Sequence, residues 1–316
     1  IHEDEKFGPD YFLPTDAYLE TCAAVGAGFF SQRMNQLTCN ARYMDEVERV
    51  LYNNVLTGVS LSGDKYTYQN PLNTDKPDRW EWHVCPCCPP MFLKIMAAMP
   101  GYIYAYQGDN VYVNLFIGSE VRVPVGKSNS VRLKQLTSYP WHGAVSIQVN
   151  PDKASTFSMK VRIPGWAQGT ENPYDLYQSN LKAPVKLKVN QEDVLLRIVD
   201  GYAEINREWK KGDHIELELP MQPRLITANK AVENLRGQVA LASGPIIYCF
   251  EDADNPELQT FKLQAQTPLE LSHDSNLLNG VNIIKCQGDI PAKAIPYYAV
   301  ANREESHSYK VWIPQK

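Results

Sequence analysis

Cys85-Pro86-Cys87-Cys88-Pro89-Pro90 is the stretch on which the reading of this chain turns. On its carboxyl side, Met91, Phe92, Ile95, Met96 and Met99 recur at helical spacing until Pro100-Gly101. From about Tyr102 the apolar period drops from about 3.6 to about 2. Val111–Phe116, Glu120–Val125, Val131–Leu133, Ala144–Val149, Ser158–Ile163, Tyr202–Ile205 and His214–Leu219 then read as strands punctuated by Gly, Pro and Asn. This pattern is a β-sandwich signature. The cysteines therefore stand just before the last helix of an α part that gives way to a β part. Pro89 disfavours α geometry at Cys88, and Pro90 suits the first turn of a helix. The expectation is an extended loop whose adjacent cysteines can converge on one ion, next to a helix end that favours thiolates.

Upstream, Gly8-Pro9 and Pro14 break an irregular start. Ala24, Val25, Phe29, Phe30, Met34 and Leu37 form the apolar stripe of a helix that Asp16 could cap. Glu20 and Cys22 are two apart and would diverge on a regular helix, so sharing an ion requires a distorted backbone or a helix start near Thr21. A second helix is predicted from about Arg42 to Leu56, with Met44, Val47, Val50, Leu51 and Val55 inward. Lys65–Leu72 reads as a short extended piece. A second β segment begins after about Pro223, with Gln238–Leu241, Ile246–Phe250 and Tyr309–Ile313 as strands and residues 251–275 as loop.

The chain has 316 residues, a formal net charge of −5 and a pI near 5.7. No basic face is evident, which argues against nucleic acid or an anionic membrane as partner. No apolar run is long enough to span a bilayer. The start, Ile1-His2-Glu3-Asp4-Glu5-Lys6, has neither an initiator Met nor a signal peptide and reads as the inside of a longer protein. Seven cysteines is an odd number at spacings unlike a disulfide scaffold, and neighbours such as Cys87 and Cys88 bond to each other only under strain. Cys39, Cys249 and Cys286 fit small buried thiols.

Zinc takes N, S or O donors in a tetrahedron. Glu20, Cys22, Cys87 and Cys88 would supply one carboxylate and three sulfurs, and Cys85 is an alternative sulfur. The spacing is not that of a zinc finger, and the plainer reading is a set of core thiols beside a solvated Glu20. A closed set of ligands usually means a structural site. A ligand thiolate can also be a nucleophile, given a nearby carboxyl that serves first as acid and then as base. His83 reads as a supporting or structural histidine rather than a ligand.

Several motifs occur in a fixed order: Glu5-Lys6-Phe7-Gly8-Pro9-Asp10-Tyr11, Leu13-Pro14, Tyr18, Glu20-Thr21-Cys22-Ala23, Glu48–Asn53, Tyr68–Leu72 and Cys85–Pro90. Arg162-Ile163-Pro164-Gly165-Trp166-Ala167, Arg207–Asp213 and Gly244–Tyr248 follow in the β region. In combination they resemble the β-L-arabinofuranosidases of glycoside hydrolase family 127 and the related family 146. The resemblance implies an α+β multidomain chain: the C-terminal part of an (α/α)6 barrel over 1–103, a β-sandwich over 104–223 and a second over 224–316. It implies a retaining glycosidase that releases terminal β-L-arabinofuranosyl residues from an oligosaccharide or plant glycan. Glu20, Cys22, Cys87 and Cys88 match the zinc ligands, Cys87 the nucleophile, Glu5 the acid/base and Tyr68 a substrate-touching tyrosine. Glu5, in a charged run near a chain end, would otherwise pass for a solvated residue. Met91 departs from the Asn common in relatives, and the Glu5–Glu20 interval is one residue shorter. The earlier, larger part of such a barrel, with its pocket histidines, is absent from this sequence, so the helices should leave an apolar face uncovered.

The competing readings are a non-catalytic protein of the same fold, with structural zinc or glycan-binding sandwiches, and a uronide-directed lyase or hydrolase, which leaves the cysteines unexplained. A cytoplasmic or a periplasmic home fits zinc-held thiols equally, and oligomerisation is left open.

Overall fold

The computed structural model describes residues 8–288 and 290–316. Sheets dominate, and the helices gather before residue 103. Helix α1 spans Thr21–Thr38, α2 Arg42–Val50 and α3 Cys88–Ala98. They share a core of Val25, Met44, Val47, Leu51, Val55, Ile95 and Met99. Gly28 allows the close approach: a Cβ there would stand 3.2 Å from Ile95 and 3.3 Å from Val50. No described helix is long and apolar enough to cross a membrane.

The predicted second helix is not regular to its end. After α2 the chain passes into a π turn, Leu51–Val55, and a 3₁₀ turn, Leu56–Gly58. The wide turn aims Asn53 at the C-terminal region. Its Oδ1 accepts from the Ile247 N–H (2.8 Å) and its Nδ2 donates to the Pro245 carbonyl (3.0 Å). Satisfying that strand end is what the irregular turn achieves.

Helix α1 is turned differently from its apolar stripe. Its buried face carries Thr21, Val25, Gly28, Ser31, Gln32 and Asn35. Phe30 and Leu37 are 64% and 79% exposed. The reason is polar: Asn35 Nδ2 donates to the Asn40 carbonyl (3.0 Å) and to Tyr202 Oη (2.9 Å). On α3, Leu93 and Met96 are exposed as well.

In the middle of the chain, a five-stranded sheet has the order 198–199, 202–209, 155–162, 110–113, 104–107. A six-stranded sheet runs 192–193, 186–189, 213–218, 144–151, 129–137, 119–125. Both contribute to one core, Val111, Met159 and Trp209 from the first and Leu133, Ile147 and Ile215 from the second. Strand pairing is antiparallel except between Asn110–Val113 and Ser155–Arg162.

A ten-stranded sheet organises the rest and recruits Tyr177–Ser179 from the middle region. Residues 251–275 are not all loop, since Leu269–Asp274 pairs with Val281–Cys286, and that strand with Ala292–Pro296. Val281–Cys286 escaped notice because it is buried on both faces and lacks alternation. The expected strand Tyr309–Ile313 is split. Tyr309–Lys310 pairs with Phe250-Glu251 and with Asn73-Thr74, whereas Ile313-Pro314 pairs with Gln238-Val239. Asn73 Oδ1 accepts the Val311 and Trp312 N–H groups between them (2.9 and 3.0 Å).

The helical and β parts are joined by a buried ion cluster. Arg162 is fully buried and pairs with Glu48, itself 1% exposed, and with Asp45 Oδ1 (2.6 Å). Glu48 also accepts from Tyr139 Oη (2.8 Å) and Trp166 Nε1 (3.3 Å). Removing one partner strands a charge without solvent, which costs about 3–5 kcal/mol. Arg162→Ala should therefore lower stability by that order in chemical denaturation, and Glu48→Ala similarly, whereas Arg132→Ala, at an exposed pair with Glu120 (3.7 Å), should change it by less than about 1 kcal/mol.

Candidate metal centre and active site

The site begins with how Glu20 is held. Glu20 is the residue before α1, with φ −79° and ψ 144°, so the helix starts at Thr21. This extended residue followed by helix removes the difficulty of two ligands two residues apart: Glu20 and Cys22 no longer obey helical spacing. An isolated bridge joins Glu20 to Gln69, and the Thr21 N–H donates to the Tyr68 carbonyl (3.1 Å). Buried Asn70 locks the junction. Its Nδ2 donates to Thr21 Oγ1 (2.9 Å) and its Oδ1 accepts from Thr57 Oγ1 (2.6 Å).

Tyr66 ends the short strand Lys65–Tyr66, and Tyr68 lies at a bend two residues on. Tyr68 Oη donates to Glu20 Oε1, which also receives Tyr18 Oη (2.5 Å). Tyr68 stacks on Trp80 with centroids 4.6 Å apart and rings 4° from parallel. Tyr66 Oη accepts from the Cys85 N–H (3.0 Å) and donates to the Cys85 carbonyl (3.2 Å), clamping the cysteine loop. Sequence reasoning gave Tyr18, Tyr66 and Trp80 no role. The alternation around Tyr68, and Tyr18 two residues before Glu20, were the available signals.

The cysteines are not in an extended loop. Cys87 has helical torsions (φ −87°, ψ −55°) and Cys88 is the first residue of α3. Pro89 and Pro90 occupy the first turn, where a missing N–H costs nothing. The helical start turns the adjacent sulfurs to one side, and Cys87 Sγ lies 3.6 Å from Cys88 Sγ. The Sγ atoms of Cys22, Cys87 and Cys88 all fall within 4.8 Å of one another. Cys22 Sγ donates to Glu20 Oε2 at 3.1 Å. Cys85 Sγ is 3.4 Å from Cys87 Sγ and lies outside the three-sulfur group. His83 is exposed, packs against Trp82, and is also outside it. Of the other thiols, Cys249 and Cys286 are buried as expected. Cys39 is only half-buried, because it ends α1 in a left-handed conformation with its Sγ 3.8 Å from Gln107 Oε1. Glu5 lies outside the described residues.

The three sulfurs could hold a metal ion, and Glu20, with its Oε2 3.1 Å from Cys22 Sγ, stands beside their group rather than within it. Zinc–sulfur bonds of about 2.3 Å in a tetrahedron set sulfurs about 3.8 Å apart, close to the Cys87–Cys88 separation. Burial, then the Glu20 hydrogen bond and the neighbouring thiols, push Cys22 far above its ordinary value. Burial pushes Cys88 up to about 12. Burial acts to raise Glu20 as well, but the Tyr18 and Tyr68 hydroxyls outweigh it and hold the carboxyl below its ordinary range. Glu20 is thus a ready anion, while Cys22 and Cys88 need a cation to ionise.

Comparison with known proteins gives this geometry a lineage. The β-L-arabinofuranosidase GH127 catalytic-domain model matches residues 1–101, the middle-domain model 110–221 and the C-terminal-domain model 223–314. The chain belongs to glycoside hydrolase family 127. This family 127 chain is 31% identical, over 354 residues, to the non-reducing end β-L-arabinofuranosidase of Bifidobacterium longum subsp. longum, covering 96% of this chain and 50% of that protein. A solved family 127 β-arabinofuranosidase superposes with a TM-score of 0.92 at 36% identity, over 100% of this chain and 52% of that one. The family 127 β-L-arabinofuranosidase of Geobacillus stearothermophilus T6 gives 0.89 at 34% identity, over 98% and 52%. The chain spans about half the length of these relatives.

Zinc binding should release at least two protons, those of Cys22 and Cys88, because both thiols are held protonated without the metal. Apparent zinc affinity should therefore rise with pH between 6 and 8, by up to about tenfold per pH unit for each proton released. Calorimetry in buffers of different ionisation enthalpy measures that number directly. Tyr66→Phe, which removes the loop clamp, should weaken zinc by about tenfold, the lower end for supporting partners of a metal site.

Proposed function

We propose that this chain forms the zinc–cysteine half of a retaining glycosidase that releases terminal β-L-arabinofuranosyl residues from an oligosaccharide or plant glycan. The observation that carries the reading is the convergence of Cys22, Cys87 and Cys88 sulfurs beside Glu20. Residues 1–103 would be the closing part of an (α/α)6 barrel, and 104–223 and 224–316 two β-sandwich domains. The exposed apolar side chains on α1 and α3 fit helices that expect further helices against them. Glu20, Cys22, Cys87 and Cys88 would hold zinc, which, when bound, keeps the ligand sulfurs deprotonated at neutral pH.

In the first step the Cys87 sulfur forms a bond to the anomeric carbon as the glycosidic C–O bond breaks. Glu5, protonated, gives its proton to the departing oxygen. In the second, the Glu5 carboxylate takes a proton from water, whose oxygen attacks the same carbon as the C–S bond breaks. Two inversions give net retention, the logic of paired carboxylates with sulfur replacing one of them. Tyr68, anchored by Glu20 and by the Trp80 ring, would face the sugar.

In the full-length protein, Cys87→Ala and Cys87→Ser should each cut kcat on an aryl β-L-arabinofuranoside by at least about 10³-fold, since the nucleophile is removed. Near-normal turnover in either variant would overturn the nucleophile assignment. Zinc at one equivalent without hydrolysis of any aryl furanoside would turn the reading to a structural metal site of the same fold.

A further inference from the structure

Behind the tyrosine wall lies a cleft of about 320 Å³, at the low end of the range of ligand pockets. Tyr66 and Tyr68 reach the Cys85 backbone and Glu20, whereas their neighbours Thr67 and Gln69 line this cleft. Asp16, Lys76, Asp78 and Trp80 complete its polar rim, with Pro71 and Val300 among its apolar walls. Trp80 is common to both sides. One face stacks on Tyr68, and its Nε1 donates to Asp78 Oδ2 (2.8 Å).

Thr67 is 5% exposed, and its Oγ1 has no hydrogen-bond partner among the described residues. A buried hydroxyl left unpaired is a net cost to folding, and a polar group seated in the cleft beside Thr67 would relieve it. The rim mixes an amide, a hydroxyl, two carboxylates and one ammonium around an indole. No concentration of positive charge suits phosphate. Small polar groups of both signs beside an aromatic ring and apolar walls suit a neutral, hydroxyl-rich ring.

We infer that this cleft is a second, non-catalytic binding site for a neutral sugar unit, separated from the cysteine site by the segment Tyr66–Gln69 and sharing Trp80 with it. Its assignment to the glycan that is cleaved rests on the proposed function. Sugar binding itself does not. A sugar here presses on the edge of Trp80 and, through the stacked rings, on the Tyr68 that holds Glu20.

The Trp80 indole N–H resonance of the ¹⁵N-labelled, zinc-loaded chain, assigned with Trp80→Phe, reports occupancy. An arabinofuranosyl trisaccharide should shift it saturably. Thr67→Val should weaken that binding about 3- to 10-fold, the loss of one hydrogen bond, without lowering the melting temperature. Gln69→Ala should weaken it comparably. No shift at millimolar sugar, or a shift of unchanged affinity in both variants, overturns the inference. A xylopyranosyl trisaccharide run in parallel separates the two readings: a Thr67-dependent shift with that sugar, in a protein that hydrolyses no arabinofuranoside, upholds the cleft while the proposed function fails.

Discussion

Arg162 has no contact with solvent, and the arrangement of the whole molecule follows from what it must find instead. A guanidinium taken out of water is tolerable only when its donors are met by carboxylates and carbonyls. Glu48 and Asp45 supply the carboxylates from α2, and the Asn114 carbonyl a further acceptor. Glu48 in turn is surrounded by Tyr139 and Trp166. The cluster fixes α2 against the β part in position and in rotation, since a carboxylate one residue along the helix would face elsewhere. Helix α1 packs on α2 and its π turn, and α3 packs on α1, so the segments that carry Cys22 and Cys88 inherit their places from that buried pair.

The metal centre shows a division between holding and reacting. Backbone pairing at Glu20, Thr21 and Tyr68 and the side chain of Asn70 fix the upstream donors. Tyr66 and the proline-started α3 fix the downstream ones. The ligand thiols resist ionisation in their burial, while two phenols keep the carboxylate charged. Sulfurs of this kind suit a soft divalent cation over a hard one, and protons compete with it for the same thiols.

What the sequence made legible follows from how local each signal was. The helix start at Thr21 was inferred from a conflict, two ligands at a spacing that a helix forbids, and Glu20 indeed lies outside α1. Strands such as 129–137 and 144–151 alternate because each has one wet face. Val281–Cys286 does not alternate, being buried except at Lys285, and so was missed. The proline rule at Cys88 failed because the prolines sit where a helix begins, and there the rule concerns a residue that has no preceding turn to clash with. The direction of α1 was illegible for a different reason. Its apolar stripe is real, but Asn35 and Gly28 decide which side meets the rest of the chain, and neither stands out by periodicity. Tyr66 and Trp80 act through contacts with residues across a turn or further along the chain, which a short window of sequence does not contain.

The π turn at Leu51–Val55 has a consequence for how this chain tolerates change in length. A π turn accommodates one residue more than the α-helix would, and each residue of an α-helix advances the phase by about 100°. Thr57, just beyond the turn, must present its hydroxyl to Asn70 and its carbonyl to Arg79. Deleting Asn54 would remove no apolar side chain, yet it would dial Thr57 away from Asn70. The junction that aims Glu20 is thus held by a count of residues as well as by their chemistry, and substitutions in this turn should be far better tolerated than indels.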